Sequence, residues 1–228
     1  MRAQNDQPLR VGALIACLLL PHATQAQTYV YRTTPHGIPF TFSETEAGEE
    51  PGAEAPTTAD CYAPENIGQV APAGWSGCAG MLIVNNAMLK AAASPSVGGN
   101  GSFGIEGPDG ITYTFGNSAR NVYTGQVTDM QGLFMSTSFN ADISYWDTPN
   151  VTTMHSMFQR NPSFNQPISG WDTSNVLLMA RMFGEATAFN QDLSGWCVTN
   201  IPAKPSFFDT IASSWVLPRP AWGSCPGS

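Results

Sequence analysis

Charge is scarce in this chain. Only 11% of its 228 residues are charged, and the 17 acidic against 9 basic side chains leave a net charge of −8. That balance argues against a nucleic-acid partner, because phosphates need a basic footprint. Long apolar runs are also missing: nothing after Leu20 approaches the ~18–20 residues that a membrane-spanning helix needs. Histidine is rare, and His36 and His155 stand alone in sequence. No C-x-x-C pair occurs and no histidine lies near the cysteines, so a zinc site finds no framework. Gly74-Trp75-Ser76-Gly77-Cys78 is not a nucleophile elbow, since Cys78 stands where the last glycine is required. Gly99-Asn100-Gly101-Ser102-Phe103-Gly104 matches G-x-G-x-x-G, but a hairpin pattern follows it where a phosphate-binding loop requires a helix. It reads as a plain loop, and no cofactor is expected.

What is present begins with an export signal. Arg2 and Arg10 precede the apolar run Val11 to Leu20, and Thr24-Gln25-Ala26 supplies small residues for cleavage, so residues 1–26 read as a signal peptide cut after Ala26. Leu14-Ile15-Ala16-Cys17 resembles a lipoprotein processing site, but the apolar run continues through Leu18-Leu19-Leu20. That favours ordinary cleavage over lipid attachment at Cys17. The expected destination is secretion or the cell surface.

Residues 27–60 form an N-terminal segment and an acidic linker. Glu44, Glu46, Glu49, Glu50, Glu54 and Asp60 lie among Pro, Gly, Ala and Thr, with too little apolar surface to offset chain entropy. Residues 61–125 read as an N-terminal cap. Met81 to Val84 give it a core, Asn86 to Ala93 a short helix, and Ser102 to Glu106 with Ile111 to Phe115 a β-hairpin across Gly107-Pro108-Asp109-Gly110.

Residues 126–200 repeat three times. Phe139-Asn140, Phe164-Asn165 and Phe189-Asn190 are 25 residues apart, as are Trp146, Trp171 and Trp196. Val127-x-x-Met130-x-x-Leu133-Phe134 recurs from Val151 and from Val176, the first interval being 24 because one residue is missing after Phe134. Such a period means stacked coils, each burying its apolar face against its neighbours. Apolar positions at 0, 3, 6 and 7 predict about two turns of helix per coil, and the Ile143–Trp146, Ile168–Trp171 and Leu193–Trp196 segments a short parallel strand. The fold class is thus an α/β repeat. Residues 201–228 read as a C-terminal cap, where Pro202 and Pro205 stop the helical pattern. The even count of cysteines beyond the signal, Cys61, Cys78, Cys197 and Cys225, suggests disulfides. Their placement as two local pairs flanking the repeats selects Cys61–Cys78 and Cys197–Cys225.

The Phe, Trp and Met ladders read as core, and Asn140, Asn165 and Asn190 as a ladder bonding turn backbones. Asp147 and Asp172 are the strongest catalytic temptation. Coils stack about 4.7–4.9 Å apart, and carboxylates ~5–5.5 Å apart would suit a retaining glycosidase. The same pair reads equally as turn caps, and no cleft is suggested around it, so no catalytic residue is assigned. Solvent-facing variable positions leave one possible binding surface: Tyr145, Thr153, His155, Leu177, Leu178 and Arg181, among which only the two leucines break a polar pattern.

Phe189-Asn-Gln-Asp-Leu-Ser-Gly-Trp196, Trp171-Asp-Thr-Ser-Asn-Val176 and Met179-x-x-Met-Phe183 resemble the 25–26-residue repeat of BspA-like leucine-rich-repeat surface proteins, which include many mycoplasma-type lipoproteins. The C-terminal run from Trp196-Cys197 to Trp222-Gly-Ser-Cys225-Pro is similar to caps of secreted members. This chain departs in having Pro167 where its sister repeats have Asp142 and Asp192, and in having only three units. The resemblance implies a right-handed, leucine-rich-repeat-like solenoid that is exported, non-enzymatic and used for adhesion or binding. A protein or glycan ligand at a surface is expected. A structural spacer or cap of a surface assembly is the alternative, and a secreted carbohydrate-active enzyme a distant third.

Overall fold

A computed structural model describes residues 61–227. The expected signal peptide, the Cys17 alternative and the expected acidic linker lie outside the described residues. At the start of the described chain, a Cys61–Cys78 disulfide closes the first loop. Strand β1 (Leu82–Ile83) pairs in parallel with the last strand of this region, β4 (Val122–Tyr123). Between them come helix α1 (Asn86–Ala92) and the antiparallel pair β2 (Gly104–Glu106) and β3 (Thr112–Thr114). Helix α1 starts where Asn85 accepts the Met88 N–H, an N-cap of the usual chemistry. The hairpin turns at Gly110, whose φ of +73° favours glycine. Asp109 braces the turn by accepting from the Ile111 N–H and the Tyr113 hydroxyl.

This region serves as the first layer on which the repeats lie. The Asn86 side chain accepts from the backbone of Thr128 and Asp129, Lys90 pairs with Asp129, and the Ser94 hydroxyl donates to the Met135 carbonyl. Gly132 has φ +67°, and a Cβ there would stand 2.4 Å from the Val97 side chain, so the close approach also requires glycine.

The three repeats then form coils headed by Val127, Val151 and Val176. Their Val, Met, Leu and Phe columns are fully buried. Hydrogen bonds run from each coil to the next: Met130 N–H to the Thr153 carbonyl and Met154 N–H to that of Leu178, both 2.9 Å, then Phe134 to Met157 and Phe158 to Met182, also 2.9 Å. Phe134, Phe158 and Phe183 stack at 5.4 and 5.5 Å, and Trp146, Trp171 and Trp196 at 6.4 Å. Each indole N–H is spent on a carbonyl of the preceding layer: Trp146 on Phe115, Trp171 on Ile143, Trp196 on Ile168. Three polar ladders run alongside. Asn140 accepts from the Asn165 N–H and Asn165 from that of Asn190; Thr124, Thr148 and Thr173 donate to the carbonyls of Asp147, Asp172 and Cys197; Asn150, Asn175 and Asn200 donate to those of Gly125, Pro149 and Ser174.

The coils differ from expectation in local structure. Among residues 126–200 no α-helix forms, and pairing between coils shrinks to single parallel bridges, Asp129 with Thr153 and Thr153 with Leu178. The segments expected as helices are successive tight turns closed by bonds such as Met157 N–H to the Met154 carbonyl. The physical reason is in the backbone: Ser156, Arg160, Arg181 and Glu185 adopt left-handed φ of 54 to 60°. A left-handed residue at every fourth position ends each turn and re-aims the next N–H at the neighbouring coil, which no helix allows.

A fourth coil follows, headed by Ile201. The Phe183 N–H donates to the Phe208 carbonyl and Glu185 to Thr210, and left-handed residues recur at Phe207 and Ile211. Turns tolerate Pro202 and Pro205 where helices would not. Trp215 closes the aromatic column edge-on, 4.7 Å from Phe189 and 5.2 Å from Phe183. Asp209 occupies the column position that Phe134, Phe158 and Phe183 hold below it, and pairs with Lys204 and Arg219. A carboxylate in the phenylalanine column stops further stacking, since a fifth coil would have to bury it. The Cys197–Cys225 disulfide ties this end to the third coil.

Asp209 also sets an acid limit on stability. Its burial alone would raise the carboxyl pKa, but hydrogen bonds and charge from Lys204 and Arg219 outweigh this and hold it below the usual value. A depressed native pKa contributes stability that is full above the unfolded value of about 3.9 and is lost as pH falls through the native one. Melting of the parent should therefore drop below about pH 4. Asp209→Asn should melt lower at neutral pH and lose less on acidification. Parallel pH–melting curves for the two proteins would refute the Asp209 assignment.

Candidate functional site

The surface set expected from sequence separates into three groups. Tyr145 is half-buried, and its hydroxyl donates to the Phe115 carbonyl, so it belongs to the packing between the cap and the first coil. Burial pushes its phenol up to about 12. Thr153 lies in the row of parallel bridges and its hydroxyl accepts from the His155 N–H, while His155 itself is half-buried. Leu177, Leu178 and Arg181 are exposed, the leucines at 56% and 58%.

The structure adds residues to this exposed group. Phe207 and Ile211 of the fourth coil are 59% and 64% exposed, and the Arg181 guanidinium lies 5.1 Å from the Phe207 ring centre. Their left-handed backbones turn these side chains out of the coil, which a core-forming Phe-Phe pair in sequence does not announce. A cleft of about 200 Å³ opens here, lined by Arg160, Arg181, Glu185, Phe207 and Ile211. The Arg160 Nε donates to a Glu185 oxygen at 3.0 Å, bridging the second and third coils. Arg160 and Glu185, one left-handed position further along, hold long polar side chains beside the apolar ones.

The two carboxylates weighed as a catalytic pair have different surroundings. Asp172 caps its turn, its Oδ1 accepting from the Ser174 N–H at 2.9 Å. Asp142 and Asp192 do the same for Ser144 and Ser194, which holds both below the usual carboxylate range. Asp147 does not cap a turn by its side chain, contrary to the sequence reading. Its Oδ2 accepts from the hydroxyls of Tyr62 and Tyr123, which stand in the cap. The residue two places on is Pro149, which has no N–H, so the turn bond made by Asp172 is denied to Asp147. Among the described residues no group of three or more His, Cys, Asp or Glu could hold a metal ion.

The repeat geometry, with its Phe-Asn and Trp-Asp-Thr columns, can be compared with known proteins. Residues 110–215 match the family described as Mycoplasma protein of unknown function, DUF285. The DUF285 match runs from the turn of the β2–β3 hairpin to Trp215. It thus ends on the residue that closes the aromatic column, and it includes the fourth coil only as far as that residue. No curated protein and no solved structure matches the chain.

Proposed function

We propose that this protein is an exported, non-enzymatic interaction module. Its stacked coils form a short, right-handed, leucine-rich-repeat-like solenoid, and its third and fourth coils present the binding face to a protein partner. The observation that carries this reading is the exposure of Leu177 and Leu178 on the third coil and of Phe207 and Ile211 on the fourth, each more than half exposed, the latter two lining one cleft with Arg181 and the Arg160–Glu185 pair. Exposed apolar side chains rimmed by charge are the usual mark of a protein-binding surface. Two disulfides support an oxidising destination.

The test begins with a binding screen of the exported form against matrix proteins and glycans, then repeats it with two double variants. Leu177→Glu with Leu178→Glu, and Phe207→Glu with Ile211→Glu, change exposed positions, so each substitution should shift stability by no more than about 0.5 kcal/mol. Both pairs should weaken partner binding at least tenfold. A protein ligand that binds both variants as well as the parent would place the interface elsewhere, and a ligand set made up only of glycans would contradict the protein-partner reading.

A further inference from the structure

A second concavity lies between the cap and the end of the first coil, well away in sequence from the apolar face. It measures about 390 Å³ and is lined by Tyr62, Ser76, Tyr123, Tyr145, Trp146 and Asp147. Asp147 is the one charged side chain among these six. No ion pair among the described residues involves it, and residues 44–60, which lead into Tyr62, contain no Lys or Arg. Among the described residues its charge is met only by neutral donors, the Tyr62 and Tyr123 hydroxyls.

The direction of those hydrogen bonds decides what the cleft can hold. Tyr62 and Tyr123 both donate to the same oxygen, Oδ2, and Tyr145 donates to the Phe115 carbonyl. All three phenolic hydrogens are thus committed inside the protein. Burial raises the pKa of both Tyr62 and Tyr123, so the phenols stay neutral at physiological pH. What they offer a ligand is oxygen lone pairs and ring faces, with the Tyr62 and Tyr123 rings edge-to-face at 5.8 Å. The remaining carboxylate oxygen, Oδ1, has no partner among the described residues. An anion meets a like charge here. A divalent metal finds one carboxylate where it needs several oxygens. A cation bearing N–H groups finds an acceptor carboxylate, phenolic acceptors and aromatic rings together.

We propose that this cleft binds a protonated primary amine of the alkylammonium kind that a lysine side chain carries, with Asp147 as its counter-ion and Tyr62 and Tyr123 as the walls. The acidic chain adds long-range attraction for such a group. The assignment is independent of the apolar face, since no residue is shared between the two.

The experiment is an NMR titration of the exported protein at low ionic strength, following the ring signals of Tyr62, Tyr123 and Trp146. Three probes are compared: n-butylammonium, n-butanol as its uncharged shape analogue, and tetramethylammonium as a cation without N–H groups. Butylammonium should give saturable shifts, butanol none, and tetramethylammonium at least threefold weaker binding. Asp147→Asn, which keeps the shape and an acceptor oxygen, should weaken butylammonium at least tenfold, and so should 0.5 M sodium chloride. Should that variant fold poorly, the butanol comparison in the parent decides the point. Equal shifts from butanol and butylammonium, undiminished binding by Asp147→Asn, or tighter binding of tetramethylammonium would each overturn the proposal. So would the absence of a saturable response to butylammonium.

Discussion

Trp171→Ala should destabilise the protein by roughly 3–5 kcal/mol, the range for emptying a large aromatic site in a core. Trp171 is 4% exposed and sits in the middle of the indole column, 6.4 Å from both Trp146 and Trp196 and the same distance from Phe158. Deleting it removes contacts to the coils on either side at once, and a stack of four coils has few other contacts to share the loss. In a domain of this size the midpoint of melting should fall by roughly 6–20 °C. The hydrogen bond is the smaller part of the effect. The Ile143 carbonyl accepts the Trp171 indole N–H but also the Trp146 backbone N–H, so it keeps a partner when the indole is lost. Trp171→Phe should therefore cost about 0.5–1.5 kcal/mol for that bond, together with the loss of volume, and fall between Ala and parent. Calorimetric melting of the three proteins measures this. An unchanged midpoint for Trp171→Ala would falsify the stacked column.

Removing the second disulfide should have the next largest effect. Cys197 and Cys225 close 28 residues of chain. In the chain-entropy account, a loop of this length stabilises by about 3–4 kcal/mol. The Cys197→Ser, Cys225→Ser double variant should lose that amount. The loss should be felt first at the fourth coil, where Trp222 packs edge-on against Phe208 at 4.9 Å and the Val198 N–H donates to the Ser224 carbonyl. Hydrogen exchange should then quicken across residues 201–225 before it does so in the second coil. Reduction of the parent should reproduce the effect. The Cys61–Cys78 bridge, which spans 17 residues, should contribute about 3 kcal/mol by the same account and act locally in the cap. If free thiols are found in the native protein, or reduction leaves melting unchanged, neither closure stands.

The two ends of the stack show how an open repeat is finished with different chemistry. At the start, helix α1 and Asn86 supply the backbone partners that a preceding coil would have supplied. At the other end the fourth coil replaces a core phenylalanine by Asp209, neutralises it with Lys204 and Arg219, and lays Trp215 across the aromatic column. Arg219 in turn lies 4.4 Å from the Trp215 ring centre and donates to the Trp215 carbonyl. One arginine thereby holds both the lid and the charge that stops the stack. Phe207 and Ile211 are not part of that seal and stay exposed.

The sequence by itself determined which periodic residues of the three repeats are buried and which follow one another in register. Periodic Val, Met, Phe and Trp can be satisfied only by coils that cover one another, so the core columns, the hairpin around Gly107-Pro108-Asp109-Gly110, helix α1 and the Asn140–Asn165–Asn190 ladder were all legible from spacing. Spacing says nothing about backbone hand. The interval pattern at 0, 3, 6 and 7 is shared by two turns of helix and by chained tight turns, and only the left-handed φ at Ser156, Arg160, Arg181 and Glu185 separates them. Tertiary structure alone decided three further points. The fourth coil was hidden because prolines exclude helices but not turns. Phe207 and Ile211 are exposed because a left-handed backbone reverses the direction in which a side chain leaves the coil. Asp147 faces Tyr62, 85 residues away in sequence, because folding the cap against the first coil brings them together. No local pattern encodes a contact of that kind, since it depends on where two separately specified units meet.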